Sequence, residues 1–170
     1  VLWAAHRPRW RLWLGAALVS SWAAWFVLII WLRHITFFGT VLLTLALGLV
    51  MTVWLAGVRG CVPRLWGAGA GVRLLGWLGL AGLWVVLEWV RTWLFSGFPW
   101  LPLSASQWER PALLQLSAWT GAYGVSFLLV FFNFGLAAYL ERRSAGLRRA
   151  SPEGREAARR PPWPRLAPAL

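Results

Sequence analysis

The sequence predicts an all-α, polytopic membrane protein with four transmembrane helices and a disordered basic tail, and three observations carry that expectation. Residues are 59% hydrophobic and 13% charged, where a soluble domain carries about 25% charged residues. The mean hydropathy is +0.60. The charges bracket long apolar runs instead of alternating with them, and four of those runs reach the roughly 20 residues that a helix needs to cross the hydrocarbon core.

Taken in order, Leu12–Leu32 offers 21 uncharged residues. It exceeds the apolar core of a signal peptide, and no cleavage site of small residues follows it. Ile35–Val58 offers 24 uncharged residues. Leu74–Phe95 has 22 residues, with Glu88 and Arg91 near its end. Pro111–Leu140 has 30 uncharged residues, of which the last part reads as the span. None of the runs alternates every second residue, so a β-barrel is excluded. The expected organisation is a transmembrane domain over 1–140, with spans at about 12–32, 35–58, 74–95 and 116–140. An Arg/Pro-rich cytoplasmic linker follows over 141–170. Its last residues turn apolar again, as they would at the start of a further span; with Val1 at the other end this suggests a fragment, while a processed or alternative start would equally explain Val1.

The charges set an expected orientation. The chain has no lysine and no aspartate: its 17 basic residues are all Arg and its 5 acids all Glu. Arg7, Arg9 and Arg11 precede the first span, Arg59, Arg64 and Arg73 separate the second and third, and eight more follow the fourth. Arg33 and Arg110 alone lie in the alternate loops. The positive-inside rule therefore places the N-terminus, the 59–73 loop and the tail in the cytoplasm, with the loops near 33–36 and 96–115 outward. The net charge of +12 fits attraction to anionic lipid headgroups, and nucleic-acid binding is not expected.

Several residues stand out chemically. Glu88 and Arg91 are three apart and share one helix face. A charge at mid-membrane costs roughly 2.5–3.5 kcal/mol on insertion scales, so such residues pair, face a bundle interior or touch a watery cavity. Two readings stand: a polar site near the outer leaflet, or a packing ion pair from which Arg91 snorkels outward. Next, Gly97 and Pro99 stop the helix. Trp93, Phe95, Phe98, Trp100 and Trp108 then crowd the outward loop, either as an interfacial belt or as a structured loop that holds a lipid chain. The glycines between Gly67 and Gly82 suggest close packing of the third span. Cys61, the single cysteine, sits in the cytoplasmic loop with no base beside it and is expected to be inert. His6 and His34 are too few and too far apart for a metal site, so neither a metal nor a cofactor is expected.

Glu88-Trp89-Val90-Arg91-Thr92-Trp93, continuing into Ser96-Gly97-Phe98-Pro99-Trp100, resembles the signature of the apolipoprotein N-acyltransferases. Ser106-Gln107 and the run from Leu116 to Leu128 extend the resemblance, as does the first span ending before His34 and Phe38-Gly39. It covers most of residues 9–140, and its most specific block is Gly-Phe-Pro-Trp. Ala105 stands where the family often has Tyr, and Thr40 where it has a second Gly. The resemblance implies a bacterial inner-membrane enzyme that passes an acyl chain from a phospholipid to the N-terminal diacylglyceryl-cysteine of lipoproteins. It does so through a thioester on the Cys of a Glu-Lys-Cys triad. That triad sits in a nitrilase-like domain, in the same full-length chain or supplied by another. Without lysine these residues hold no such triad, and alone they are expected to be inactive. Their implied role is a membrane platform that holds phospholipid donor and lipoprotein acceptor, with Glu88, Arg91, Trp93, Phe98, Trp100 and Gln107 as candidates for the lipid entrance. The alternatives are a stand-alone membrane subunit, or a structural or transport-type helical protein without enzymatic activity.

Overall fold

The structure is a computed structural model that describes residues 9–93 and 97–150, with side chains described as far as 146. Among the described residues five α-helices follow one another: α1 (Trp10–Leu28), α2 (Phe37–Trp66), α3 (Ala70–Arg91), the single turn α4 (Pro111–Leu114) and α5 (Ser117–Ala150). Short 3₁₀ segments occupy Ile30–His34 and Leu103–Gln107. No strand occurs among the described residues. Helices α1, α2, α3 and the Ser117–Gly146 stretch of α5 are long and apolar enough to cross a membrane. In hydrocarbon each backbone polar group must be satisfied within its own segment, which a helix provides; α5 is interrupted near its start by a non-helical Gly121 (φ 67°, ψ −178°). The chain is thus a helical membrane protein.

Helix ends follow from local chemistry. Leaving α1, the backbone turns non-helical at Ile29 (φ −116°, ψ 22°), so the first run breaks at Leu28 and continues to His34 only as a tighter 3₁₀ turn. Thr36 caps α2, its hydroxyl accepting the Gly39 N–H at 3.2 Å, the ordinary way a helix satisfies a first-turn donor. Helix α2 runs past the expected limit of 58, through Pro63, to Trp66. Cys61 therefore lies on an exposed helical face, not in a loop. Helix α3 stops at Arg91.

Two compact units divide the chain at Phe131. In the first, α1 packs along α2 and α2 along α3. The close approach of α1 and α2 centres on Gly48, where an added Cβ would stand 3.0 Å from the backbone of Trp22. Beside it Trp22 Nε1 donates to Thr44 Oγ1 at 3.1 Å. Thr40, Thr44 and Thr52 are buried, and each hydroxyl also donates to the carbonyl four residues earlier, so none is left unsatisfied in the helix. Of the glycines at 67–82, an added Cβ would collide only at Gly76, with Leu65, while the others face open space. The close α1–α2 contact belongs to α2's Gly48 instead. The second unit consists of the helical residues from Phe132 to Ala150, followed by residues outside the described set. Helix α5 thus covers the first ten residues of the expected linker, and the remainder of that expectation, 151–170, lies outside the described residues.

Candidate functional site

At the end of α3 the chain folds back over its own helix. Glu88 Oε1 accepts the Leu103 N–H at 2.6 Å, and Arg91 Nη2 donates to the Leu101 carbonyl at 2.8 Å. The two charged groups stand 3.6 Å apart, with side chains 3% and 8% exposed. The guanidinium carbon of Arg91 also lies 5.3 Å from the ring centre of Trp25 on α1, a cation–π contact. Arg91 is therefore buried and clamped, not snorkelled outward. The Arg91 carbonyl accepts the Phe98 N–H at 3.0 Å, and Gly97 makes that return possible. Its φ is +85°, and a Cβ there would collide with the Thr92 carbonyl. Further on, the Ser104 N–H donates to Ser126 Oγ at 3.1 Å, fixing the 3₁₀ segment to the first part of α5.

Beneath this folded loop lies a cavity of about 700 Å³, walled by α1, α2, α3 and residues 101–108. Its walls are mostly apolar: Leu47, Val50, Met51, Trp54 and Leu55 from α2 face Ala24, Trp25 and Leu28 from α1. The volume lies in the range of ordinary ligand pockets, roughly 300–1,000 Å³. One wall is different. Trp84, Glu88 and Arg91 all line the cavity from α3, at spacings of four and three residues that put them on one helix face. Each carries a buried polar atom with no hydrogen-bond partner among the described residues: Trp84 Nε1, Glu88 Oε2 and Arg91 Nε. An unmet buried polar atom costs about 1–3 kcal/mol, more for a charged group. Three on one stripe is a concentration that a polar ligand, or water, would relieve. Trp54 crosses the Trp84 ring edge to face, with centroids 5.1 Å apart, and donates its own Nε1 to the Leu80 carbonyl at 3.1 Å.

The other expected site residues fall around this cavity, not on it. Trp100 stacks on Trp31 with ring centres 5.6 Å apart, and Phe98 packs against Trp100 at 5.8 Å. This stack ties the two arginine-poor loops together at one end of the helices. Trp93 is 72% exposed and touches Trp89. Gln107 donates to Ser106 Oγ at 2.9 Å. Trp108, exposed like Trp93, lines the cavity mouth with Ala105 and Ser106. Phe95 and Ser96 lie outside the described residues. The contributions of α1 and α2 were not expected from the sequence. No sequence signal singled out Trp25 or Trp54, because the same two runs also carry Trp13, Trp22, Phe26, Trp31, Phe37 and Phe38. No cluster of metal-ligating side chains occurs among the described residues.

Comparison with known proteins bears on residues 1–135, which match the family model described as the apolipoprotein N-acyltransferase N-terminal domain. Among curated relatives, a protein named apolipoprotein N-acyltransferase from Coxiella burnetii is 32% identical over 142 residues, covering 78% of this chain and 28% of the relative. A protein of the same name from Nitrosomonas europaea is 41% identical over 70 residues, 41% of this chain and 14% of the relative. Another from Methylococcus capsulatus is 47% identical over 58 residues, 34% of this chain and 11% of the relative. The matches span between 11% and 28% of these relatives' lengths. No solved structure matches the chain significantly.

Proposed function

Because the chain belongs to the apolipoprotein N-acyltransferase family through that family's N-terminal domain, we propose that its cavity holds an acyl chain of a lipid substrate. The observation that carries this reading is the pairing of an apolar volume with the polar stripe of Trp84, Glu88 and Arg91. Such a cavity suits a molecule with a hydrocarbon chain and a polar neck. The chain would lie among Met51, Trp54 and Leu55, and the ester neck or headgroup near Glu88 and Arg91. The folded loop over 98–107, held by those same two residues, would set the width of the entrance.

In this proposal the chemistry is done by residues outside these 170. A cysteine thiolate attacks the ester carbonyl of a phospholipid, and the lysophospholipid leaves as an alcohol after taking a proton. The resulting thioester is then attacked by the amino group of a lipid-modified cysteine on the acceptor lipoprotein, which returns the thiol. The membrane helices contribute position: they hold the reacting ester at a fixed depth, which lowers the entropic cost of the encounter. Family membership suggests an inner-membrane location, and the arginine distribution supports an orientation with the N-terminus and the 59–73 segment in the cytoplasm. The folded loop then faces outward, toward a nitrilase-like domain.

The test is lipoprotein N-acylation in cells that depend on the protein bearing this chain. Ala24→Trp would fill the cavity from α1, while Val27→Trp, on an exposed face 69% open, would not. The proposal expects acylation to fall at least tenfold in the first variant and to persist in the second, at equal protein levels. Equal acylation in both would remove the cavity from the reaction.

A further inference from the structure

Beneath the folded loop, the α3 wall of the cavity carries a pattern that a diacyl lipid does not satisfy. Along the helix its unmet groups run donor, acceptor, donor: Trp84 Nε1, Glu88 Oε2 and Arg91 Nε, each buried and without a hydrogen-bond partner among the described residues. Trp84 and Arg91 are seven residues apart, about 10 Å of helix, so the stripe is longer than one functional group. The side chains of Glu88 and Arg91 are more than nine-tenths buried. Both are also fixed, Glu88 Oε1 by the Leu103 N–H and Arg91 Nη2 by the Leu101 carbonyl. Neither can turn toward a new partner without releasing the loop.

Ligand oxygens differ in what they offer such a stripe. The indole N–H and the guanidinium Nε–H only donate, and a carboxylate only accepts. The oxygens of a glycerol ester accept only, so they answer Trp84 and Arg91 and leave Glu88 Oε2 unmet, which is costly for a buried charged group. A hydroxyl both donates and accepts. It can donate to Glu88 Oε2 while its lone pairs face a neighbouring N–H. A water also meets the carboxylate, but a hydroxyl replaces that water without loss, whereas an ester or methoxy oxygen does not. The Arg91 guanidinium, 3.6 Å from the carboxylate, weighs by charge repulsion against a ligand ammonium as the donor.

We propose that this stripe recognises the free glycerol hydroxyl of a monoacyl phospholipid, the product left once one acyl chain has been transferred, in preference to the diacyl lipid. The inference rests on the acyl-chain reading of the cavity and adds which chain occupies it: the one that stays on the glycerol, among Met51, Trp54 and Leu55. The hydroxyl forms where the broken ester stood, beside the retained chain, whereas a headgroup hydroxyl lies beyond the phosphate. Glu88 is then a specificity-determining residue that distinguishes product from donor, and the product stays bound until a fresh lipid displaces it.

The test uses the detergent-purified protein that bears this chain and a matched pair of probes. One is an octadecyl-ether lysophosphatidylcholine with a free glycerol hydroxyl, and the other is the same lipid with that hydroxyl methylated. Neither holds an ester, so neither is turned over, and choline has no N–H or O–H, so the neck hydroxyl is the one donor that differs. Bound lipid is counted by native mass spectrometry from an equimolar mixture. The expected result is about a tenfold preference for the hydroxyl lipid, the worth of one hydrogen bond to a charged group, with retention of both lipids lost in Ala24→Trp. Glu88→Gln keeps an oxygen for the Leu103 N–H and turns an amide donor to the cavity, so it should erase or reverse the preference. Where Glu88→Gln disturbs folding, which circular dichroism monitors, the unaltered protein and Ala24→Trp decide the question. Equal retention of the two lipids, lost in Ala24→Trp, would overturn this inference and leave the acyl-chain reading standing. Retention of neither lipid would overturn both. A preference that persists in Ala24→Trp or in folded Glu88→Gln would place it away from this stripe and overturn the inference. So would a diether phosphatidylglycerol retained as well as the hydroxyl lipid, which would mark a headgroup hydroxyl as the donor.

Discussion

Arg91 donates to the carbonyl of Leu101 at 2.8 Å, and Leu101 is the non-glycine residue, among those described, that holds a positive φ, at 56°. A side chain in that region is strained by on the order of 1–3 kcal/mol, and it persists only where its surroundings over-determine it. Here the surroundings are explicit. Pro102 follows at once, Leu103 is tied to Glu88, and the Leu101 carbonyl is held by a buried guanidinium. The loop over the cavity is therefore a strained strap fastened by one ion pair.

Breaking that fastening at one side should be costly. Glu88→Ala or Arg91→Ala leaves a buried, uncompensated partner, which removes about 3–5 kcal/mol. The double variant Glu88→Met/Arg91→Met should lose less than the sum of the single losses. Thermal unfolding of all three in one detergent measures this, and additive losses would mean that the pair does not act as a unit.

The strain itself is testable at Leu101. Leu101→Gly relieves the positive φ and should leave stability unchanged or raise it by up to about 1 kcal/mol. Leu101→Val places a β-branched residue where it is least tolerated and should destabilise. Gly97→Ala should cost about 1–3 kcal/mol, because its φ of +85° is compounded by collision with the Thr92 carbonyl. Limited proteolysis of the 97–108 segment reports each outcome.

Helix contact predicts a different position. At Gly48 an added Cβ would stand 3.0 Å from the Trp22 backbone, and backbone yields less readily than a side chain. Gly48→Ala should cost about 1–3 kcal/mol by overpacking, whereas Gly79→Ala, which meets nothing within 4 Å, should be neutral or stabilising. Equal behaviour of the two in thermal unfolding would contradict the α1–α2 packing described.

Much of this was readable in advance, for identifiable reasons. The membrane runs were legible because insertion depends on summed hydropathy over about 20 residues, a property that needs no tertiary knowledge. Glu88 and Arg91 were legible because a charge inside a span is costly enough to demand an explanation. Their partners were not, since the Leu101 carbonyl and the Leu103 N–H are backbone groups with no sequence signature. The cavity was hidden for a related reason. Ala24, Met51 and Trp54 are unexceptional in an apolar helix, and only the relative rotation of α1, α2 and α3 brings them to a common volume. Glycine count misled likewise, because the dense run at 67–82 mostly faces open space while the single Gly48 seats α1.

The most direct test is photolabelling of the chain in vesicles of a phospholipid that carries a diazirine at the end of one acyl chain, with labelled residues mapped by mass spectrometry. The cavity reading predicts labelling at Met51 and Leu55, both of which line the volume, and at least a fivefold loss of that labelling in Ala24→Trp. Labelling of lipid-facing residues such as Val53 and Leu49, both largely exposed, should be unaffected. If Met51 and Leu55 stay unlabelled, or stay labelled when the cavity is filled, no acyl chain occupies it and the account is wrong.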